Sequence, residues 1–238
     1  FTKEEILDTL RRFSAMAREE GRQEFNLGRD TRDWKVHLAQ EDLRQHGISA
    51  NKVAQILYRP FDSRWTYYSG HSRGFLCMPR PEVMRNLIPG DNLGLVSARS
   101  NKSSTPDHFF CSRFIMETKC GESTTQSCLF PLYLLDGANA SPSNDGPGTP
   151  RTPNLSAAAM GLLKDRGLIP EDLFHYIYAL FHCPTYRTRY AEFLKTDFPR
   201  VPMTKAPELF LALASKGAEL VALHLLESPL LASSICSF

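Results

Sequence analysis

The chain predicts an α+β fold: an irregular β-rich half and a helical half, preceded by an N-terminal helical connector. Three observations carry this. Apolar residues recur at helical spacing over the first 50 residues and again after residue 155. Between Val53 and Tyr133 they give way to short runs rich in β-branched and aromatic residues, broken at Pro60, Gly70, Pro89-Gly90 and Gly121. Residues 137–154 hold Gly, Ala, Asn, Ser, Pro and Thr with almost no apolar side chain, the composition of a flexible linker. The expected boundaries are 1–50 for the connector, 51–136 for the β-rich part, 137–155 for the linker and 156–238 for the helical part.

In chain order, Ile6, Leu7, Leu10, Phe13 and Met16/Ala17 fall on one face of a helix over 3–22, and Thr2 with Glu5 makes a capping box at its start. A second helix covers 39–45 and stops at Gly47. Strands are expected at 53–58, 65–68, 73–77, 93–98, 108–115 and 128–134, with a short helix from Pro81 to Leu87. After the linker, helices are expected over 156–165, 170–183, 185–195 and 206–227, the second opened by Pro170-Glu-Asp.

A hydrophobic fraction of 42% and a charged fraction of 23% over 238 residues describe an ordinary soluble protein of one large or two small domains. No apolar run reads as the ~18–20 residues of a membrane span, and the polar start Phe1-Thr-Lys-Glu-Glu-Ile does not read as a signal peptide. Phe1 in place of Met suggests the cut edge of a longer protein. The six cysteines (77, 111, 120, 128, 183, 236) contain no Cys-x-x-Cys pair, so reduced cytoplasmic thiols are expected and no metal site.

The net charge of +2 conceals two basic segments: residues 58–119 carry +4 and residues 184–205 carry +3, on a remainder of −5. That distribution suits an anionic partner. The first segment also interleaves arginine with aromatic rings, a composition that can stack on bases and neutralise phosphates, or equally build a β-core with snorkelling arginines. Its candidate contacts are Arg59, Arg64, Tyr67, Tyr68, His71, Arg73 and Arg80. Arg64 has a second role open to it, as the partner of Asp62 in fixing the turn after Pro60. The polar loop Ser97–Thr105 adds Arg99, Asn101 and Lys102, residue types that read guanine and adenine edges or hold phosphates. Arg113 and Lys119 complete the segment. In the second segment Tyr186, Arg187 and Arg189 follow a tyrosine-rich helix and suit a phosphate backbone, or a helix with solvated arginines.

Catalytic patterns are sparse. There is no Pro-Pro dipeptide beside an Asn or Asp, as amino-methyl transfer to a base requires, and no Gly-Lys-Ser/Thr phosphate loop. A nucleophile elbow is set aside. One nuclease-like pattern occurs, Pro106-Asp107 followed after nine residues by Glu117-Thr-Lys119, whose acids could hold Mg²⁺. It competes with the plain reading of a turn aspartate and solvated strand residues, and no catalytic residue is nominated.

Together, Tyr58-Arg-Pro-Phe-Asp-x-Arg64, Gly74-Phe-Leu-x-Met-Pro-Arg80, Asn92-Leu-Gly-Leu with Arg99, Phe130-Pro-Leu-Tyr133 and Tyr176-Ile-Tyr-Ala…Pro184-x-Tyr-Arg-x-Arg-Tyr resemble the C-terminal specificity domain of Type ISP restriction–modification enzymes. Asp30–Lys35 is similar to the segment joining that domain to a methyltransferase. The resemblance implies recognition of a short asymmetric site in double-stranded DNA, with the methyltransferase and translocase parts of the same polypeptide as partners. It implies no enzymatic activity and no cofactor for this part. S-adenosylmethionine, ATP and Mg²⁺ would serve the other parts. The motif residues would build scaffold or hold phosphates, with base readers in the loops. The alternatives are the Mg²⁺ nuclease and a structural docking module for the methyltransferase.

Overall fold

The computed structural model describes residues 2–102, 105, 107–135 and 151–233. Most of the expected linker therefore lies outside the described residues. The connector opens on α1 (Lys3–Ala15), whose Thr2–Glu5 capping box forms as expected, an arrangement worth ~1 kcal/mol to a helix. The single helix expected over 3–22 is instead two, because the chain turns extended at Met16 before α2 (Arg18–Glu24). The break is held from outside. Gln40 donates to the carbonyls of Phe13 (2.8 Å) and Met16 (3.1 Å), and Arg44 donates to that of Ser14 (2.8 Å), so groups freed at the end of α1 find partners on α3 (Val36–His46). Gly47 ends α3 with φ +72°, a conformation that suits glycine. Leu10, Phe13, Val36, Ala39 and Leu43 then pack with Val53 and Tyr67 of the next element, joining connector and β-half in one core.

That element is a hairpin of β1 (Val53–Arg59) and β2 (Asp62–Tyr67), with Phe61 in the left-handed region at its turn (φ +62°). The strand expected at 73–77 does not form. Phe75 N–H is taken by the Asp42 carboxylate at 2.7 Å, and Arg73 N–H closes a turn on the Cys77 carbonyl at 2.8 Å. The single strand expected over 108–115 is two strands in two sheets. β3 (Gly94–Ser97) lies between β4 (Phe110–Ser112) and β6 (Cys128–Pro131), all antiparallel, whereas β5 (Ile115–Met116) pairs in parallel with β1. The chain changes sheet at Arg113-Phe114, where the Ser112 hydroxyl donates to the Phe114 carbonyl and accepts from its N–H. The run expected over 128–134 also divides. β7 (Tyr133–Leu135) leaves the sheet and pairs with β8 (Arg151–Pro153), which places the last residues of the expected linker in a strand. Buried Asn92 fixes this corner, donating to the Asn86 and Tyr133 carbonyls and accepting from Leu93 and Tyr133 N–H.

The helical half follows as α5 (Ala157–Asp165), α6 (Pro170–His182), α7 (Pro184–Arg189), α8 (Ala191–Leu194) and α9 (Pro207–His224), the helix expected over 185–195 being broken at Tyr190. α6 and α9 approach closely at Gly217, where any side chain would collide with the His175 carbonyl. The stretch Pro207–Ala232 is long and apolar enough to cross a membrane by length and composition, which the sequence reading overlooked. It lies along α6, burying Phe210, Ala214, Gly217 and Val221 and leaving Leu209 and Leu211 exposed. α6 is buried on several sides. Phe174 and Tyr178 pack with Leu93, Cys111 and Leu132 of the β-half, Tyr176 with Phe210, and Phe181 with Phe109.

Candidate nucleic-acid interface

Burial sorts the candidate residues first. Tyr67, Tyr68 and Tyr186 lie inside, at 0%, 4% and 5% exposure, and a ring with no open face cannot stack on a base. Their hydroxyls serve the scaffold, donating to the carbonyls of Gly47, Pro79 and Arg200. Burial pushes the Tyr67 hydroxyl up to about 12. Asn101 is buried too, and its amide reaches the Thr105 carbonyl at 3.4 Å. These four are structural placements where contacts had been expected. The sequence missed them because aromatic–arginine interleaving looks alike on a surface and around a core.

At the hairpin, the ring of Tyr58 is flanked by two guanidiniums, Arg59 at 4.1 Å and Arg64 at 3.8 Å. Arg64 is also bonded to Asp62 at 2.7 Å, the pairing considered for the turn, and this hydrogen bond holds the Asp62 carboxyl below the usual carboxylate range. Arg59 reaches Glu117 at 2.9 Å, and the same carboxylate accepts from Lys119 N–H. Glu117 is therefore committed to an arginine. Asp107, its supposed partner in metal binding, precedes β4 in the other sheet and accepts from Thr105. Among the described residues no group of three His, Cys, Asp or Glu is placed to hold a metal ion.

Two further arginines are spoken for. Arg113 grips Glu227 with bonds of 2.5 and 2.9 Å, tying the sheet change to the end of α9. Arg187, expected to face a phosphate backbone, turns inward. Its Nε donates to the Phe181 carbonyl, its Nη2 meets His182 Nδ1, and it stacks over Phe109 at 5.5 Å. It borders a cavity of about 260 Å³ shared with Phe61, Tyr178, His182 and His224. Burial, with Arg187 and His224 nearby, brings His182 down to about 4, so it is neutral at ordinary pH.

The exposed cations form separate groups. Arg99 and Lys102 lie beyond β3. Lys102 N–H bonds Thr125 Oγ1, joining this loop to the 118–127 turn that carries exposed Lys119, and Arg99 approaches Asp197 at 3.7 Å. Arg189 is exposed on α7 beside Tyr190. Arg73 and Arg80 share a groove of about 440 Å³ with Arg32, a residue of the connector that sequence reasoning did not nominate. Both Arg73 and Arg80 adopt left-handed backbone conformations, φ +59° and +48°, which cost non-glycine residues ~1–2 kcal/mol each. His71, exposed nearby, packs on His46 with the rings tilted by 35° and their centroids 5.0 Å apart.

Gly70-His-Ser72-Arg-Gly74 does spell Gly-x-Ser-x-Gly, so sequence alone does not set the nucleophile elbow aside. The structure does. An elbow needs a strand leading directly into a helix. Here the segment is a turn followed by irregular chain until Pro81, and Ser72 makes no hydrogen bond to a histidine among the described residues.

Three solved structures share this architecture. A cryoEM DrdV–DNA complex superposes with TM-score 0.63 at 23% identity, over 94% of this chain and 21% of that one. LlaBIII, an ATP-dependent Type ISP restriction–modification enzyme bound to DNA, gives TM-score 0.59 at 20% identity, over 96% and 14%. A nuclease-deletion mutant of the Type ISP enzyme LlaGI, with a DNA substrate mimic, gives 0.52 at 20%, over 92% and 18%. This chain thus spans about a fifth of those polypeptides or less. No curated protein matches it in sequence. A family model does, and since its match runs from residue 1 to residue 238, the chain belongs to the family of Type ISP C-terminal specificity domains.

Proposed function

We propose that this domain recognises a short asymmetric sequence in double-stranded DNA and performs no chemistry itself, presenting the site to methyltransferase and translocase parts of the same cytoplasmic polypeptide. One observation carries the reading: guanidiniums without a close carboxylate partner stand on well-anchored segments, while the acids that would make a nuclease are occupied elsewhere. The side chains of Arg73, Arg80 and Arg189 make no hydrogen bond or ion pair among the described residues, whereas Glu117 is paired with Arg59. Cations so placed suit phosphates, which fix register, and the Arg99 loop suits base edges. The three similar structures all hold DNA or a DNA mimic, which supports the same partner here. S-adenosylmethionine, ATP and Mg²⁺ belong to the other parts and are not required for binding by this one.

The test is a gel shift of the intact polypeptide on site-containing and scrambled duplexes at two salt concentrations, with cleavage followed in parallel with and without Mg²⁺. Preferential, salt-sensitive binding supports recognition. If Asp107→Asn or Glu117→Gln abolished cleavage while sparing methylation, the nuclease would move to this domain. Binding to the methyltransferase without any contribution to DNA affinity would leave only a docking role.

A further inference from the structure

The segment from Ser72 to Glu82 has no regular structure before Pro81, yet it is fixed at four points. Trp34 donates to the Phe75 carbonyl at 3.0 Å, and Phe75 N–H donates to buried Asp42 at 2.7 Å. Arg73 N–H closes on the Cys77 carbonyl, and buried Tyr68 donates to the Pro79 carbonyl at 3.1 Å. Gly74 lies so close to the Asp42 carboxylate that no side chain would fit. On this braced loop Met78 is 64% exposed, more than any other large apolar residue described except Leu230. A braced loop cannot fold back to hide such a side chain, so its exposure is built in.

The flanks of Met78 are cationic. Arg73 and Arg80, both in the left-handed backbone region, are exposed, and their guanidiniums make no hydrogen bond or ion pair among the described residues. Arg32 lines the same groove and is bonded to Asp33, while Glu82 is the remaining acid along it. A long, flexible, polarisable apolar side chain between exposed guanidiniums, of which Arg73 also feels the Asp33 carboxylate, matches the wedge that minor-groove proteins slip between base pairs while arginines hold the adjoining backbone.

We propose that the 72–82 loop is a DNA wedge, in which Met78 enters the minor groove and partly unstacks one base step while Arg73 and Arg80 hold the flanking phosphates. The inference rests on the DNA-binding reading above and adds a deformation to it. A step that unstacks easily would then be favoured without any hydrogen bond to its edges, which is specificity by deformability.

The experiment uses the intact polypeptide and duplexes carrying 2-aminopurine at each position in turn. The wild type raises fluorescence at one step, Met78→Ala loses that rise, and Met78→Leu keeps it. A mismatch at that step, already unstacked, restores the affinity of Met78→Ala by about tenfold. Arg73→Gln with Arg80→Gln lowers affinity for every duplex alike. Binding by the wild type with no position whose fluorescence depends on Met78 overturns the wedge and leaves DNA recognition standing. A Met78→Ala variant that binds and distorts DNA normally but detaches from the methyltransferase also overturns it, making Met78 a docking residue. Failure of the wild type to bind any duplex at low salt removes the DNA reading itself.

Discussion

Arg187 donates through Nε to the carbonyl of Phe181 at 2.6 Å, so a residue following α6 caps the final turn of that helix. The guanidinium is half-buried over Phe109 and bonded to neutral His182, and among the described residues no carboxylate pairs with it, Asp107 acting on it only at longer range. Arg187→Ala should therefore cost ~1–3 kcal/mol of stability, from lost bonds to a charged group. Its effect on the salt dependence of DNA binding should be small. Exposed Arg189 should behave the opposite way: Arg189→Ala leaves urea denaturation unchanged and flattens the salt slope by about 0.9, one phosphate contact. Urea denaturation and a salt titration of affinity on both variants decide the assignment, and a flattened slope in Arg187→Ala would reverse it.

Arg99 and Asn101 should separate in the same manner. Arg99 is exposed beyond β3, whereas Asn101 is 5% exposed. Arg99→Ala should lose ~1–3 kcal/mol on the cognate site and little on scrambled DNA, as loss of a base contact does. Asn101→Ala should lower stability and weaken both duplexes alike. Competition binding with cognate and scrambled DNA measures both, and equal losses for Arg99→Ala would place it on a phosphate.

Gly217→Ala should be costly although alanine favours helices. The added methyl would collide with the His175 carbonyl, a backbone atom that cannot rotate away, so α6 and α9 must separate. Overpacking of this kind costs ~1–3 kcal/mol, or about 2–4 °C in Tm per kcal/mol for a chain of this size. Thermal unfolding of Gly217→Ala beside Gly161→Ala makes the comparison, since nothing lies near Gly161 on the first helix of the same half.

Stability should fall below neutral pH because of histidines held neutral. His182 is lowered to about 4 from an ordinary 6.5, and burial lowers His224 as well. Above pH 6.5 neither the folded nor the unfolded state binds these protons, and stability is complete. Between about 6.5 and 4 the unfolded chain takes up the His182 proton and the folded one does not, so stability declines, and lowered His224 acts in the same direction. His182 is partly open to solvent, so its share is roughly 1–2 kcal/mol after screening. The depressed aspartates Asp30, Asp33 and Asp62 act below their ordinary 3.8, and Glu122, lowered from 4.5 to about 2 by hydrogen bonds from Thr125 and Thr124, acts below 4.5, so these carboxylates weigh mainly below pH 4.8. Urea unfolding at pH 7.5 and 4.8 tests the sign, and His182→Gln should reduce the difference between them.

Helix positions were legible because their signals are local. Thr2 with Glu5, Gly47 and Pro170 each mark a boundary within one turn of chain, and each boundary appears. What the sequence hid depends on distant partners. The break at Met16 is enforced from Gln40 and Arg44, and the absence of a strand at 73–77 from Asp42. Strand 108–115 divides because β5 finds β1, which lies more than fifty residues earlier. At the candidate interface, residue type predicted the surface for Arg73, Arg80, Arg99 and Lys102. It failed for Tyr67, Tyr68 and Arg187, whose partners decide their direction. Arg32 escaped notice because the groove that it lines brings together segments about forty residues apart.

The pairing of β7 with β8 joins chain before residue 136 to chain after residue 150, and α6 presses Phe174 and Tyr178 against residues from the earlier part. The halves that look separable in sequence thus share one interior. A protease cut anywhere between Leu135 and Arg151 would yield two fragments that remain together through gel filtration. Expressed apart, they would find each other and restore a single domain, as complementing halves of one core do.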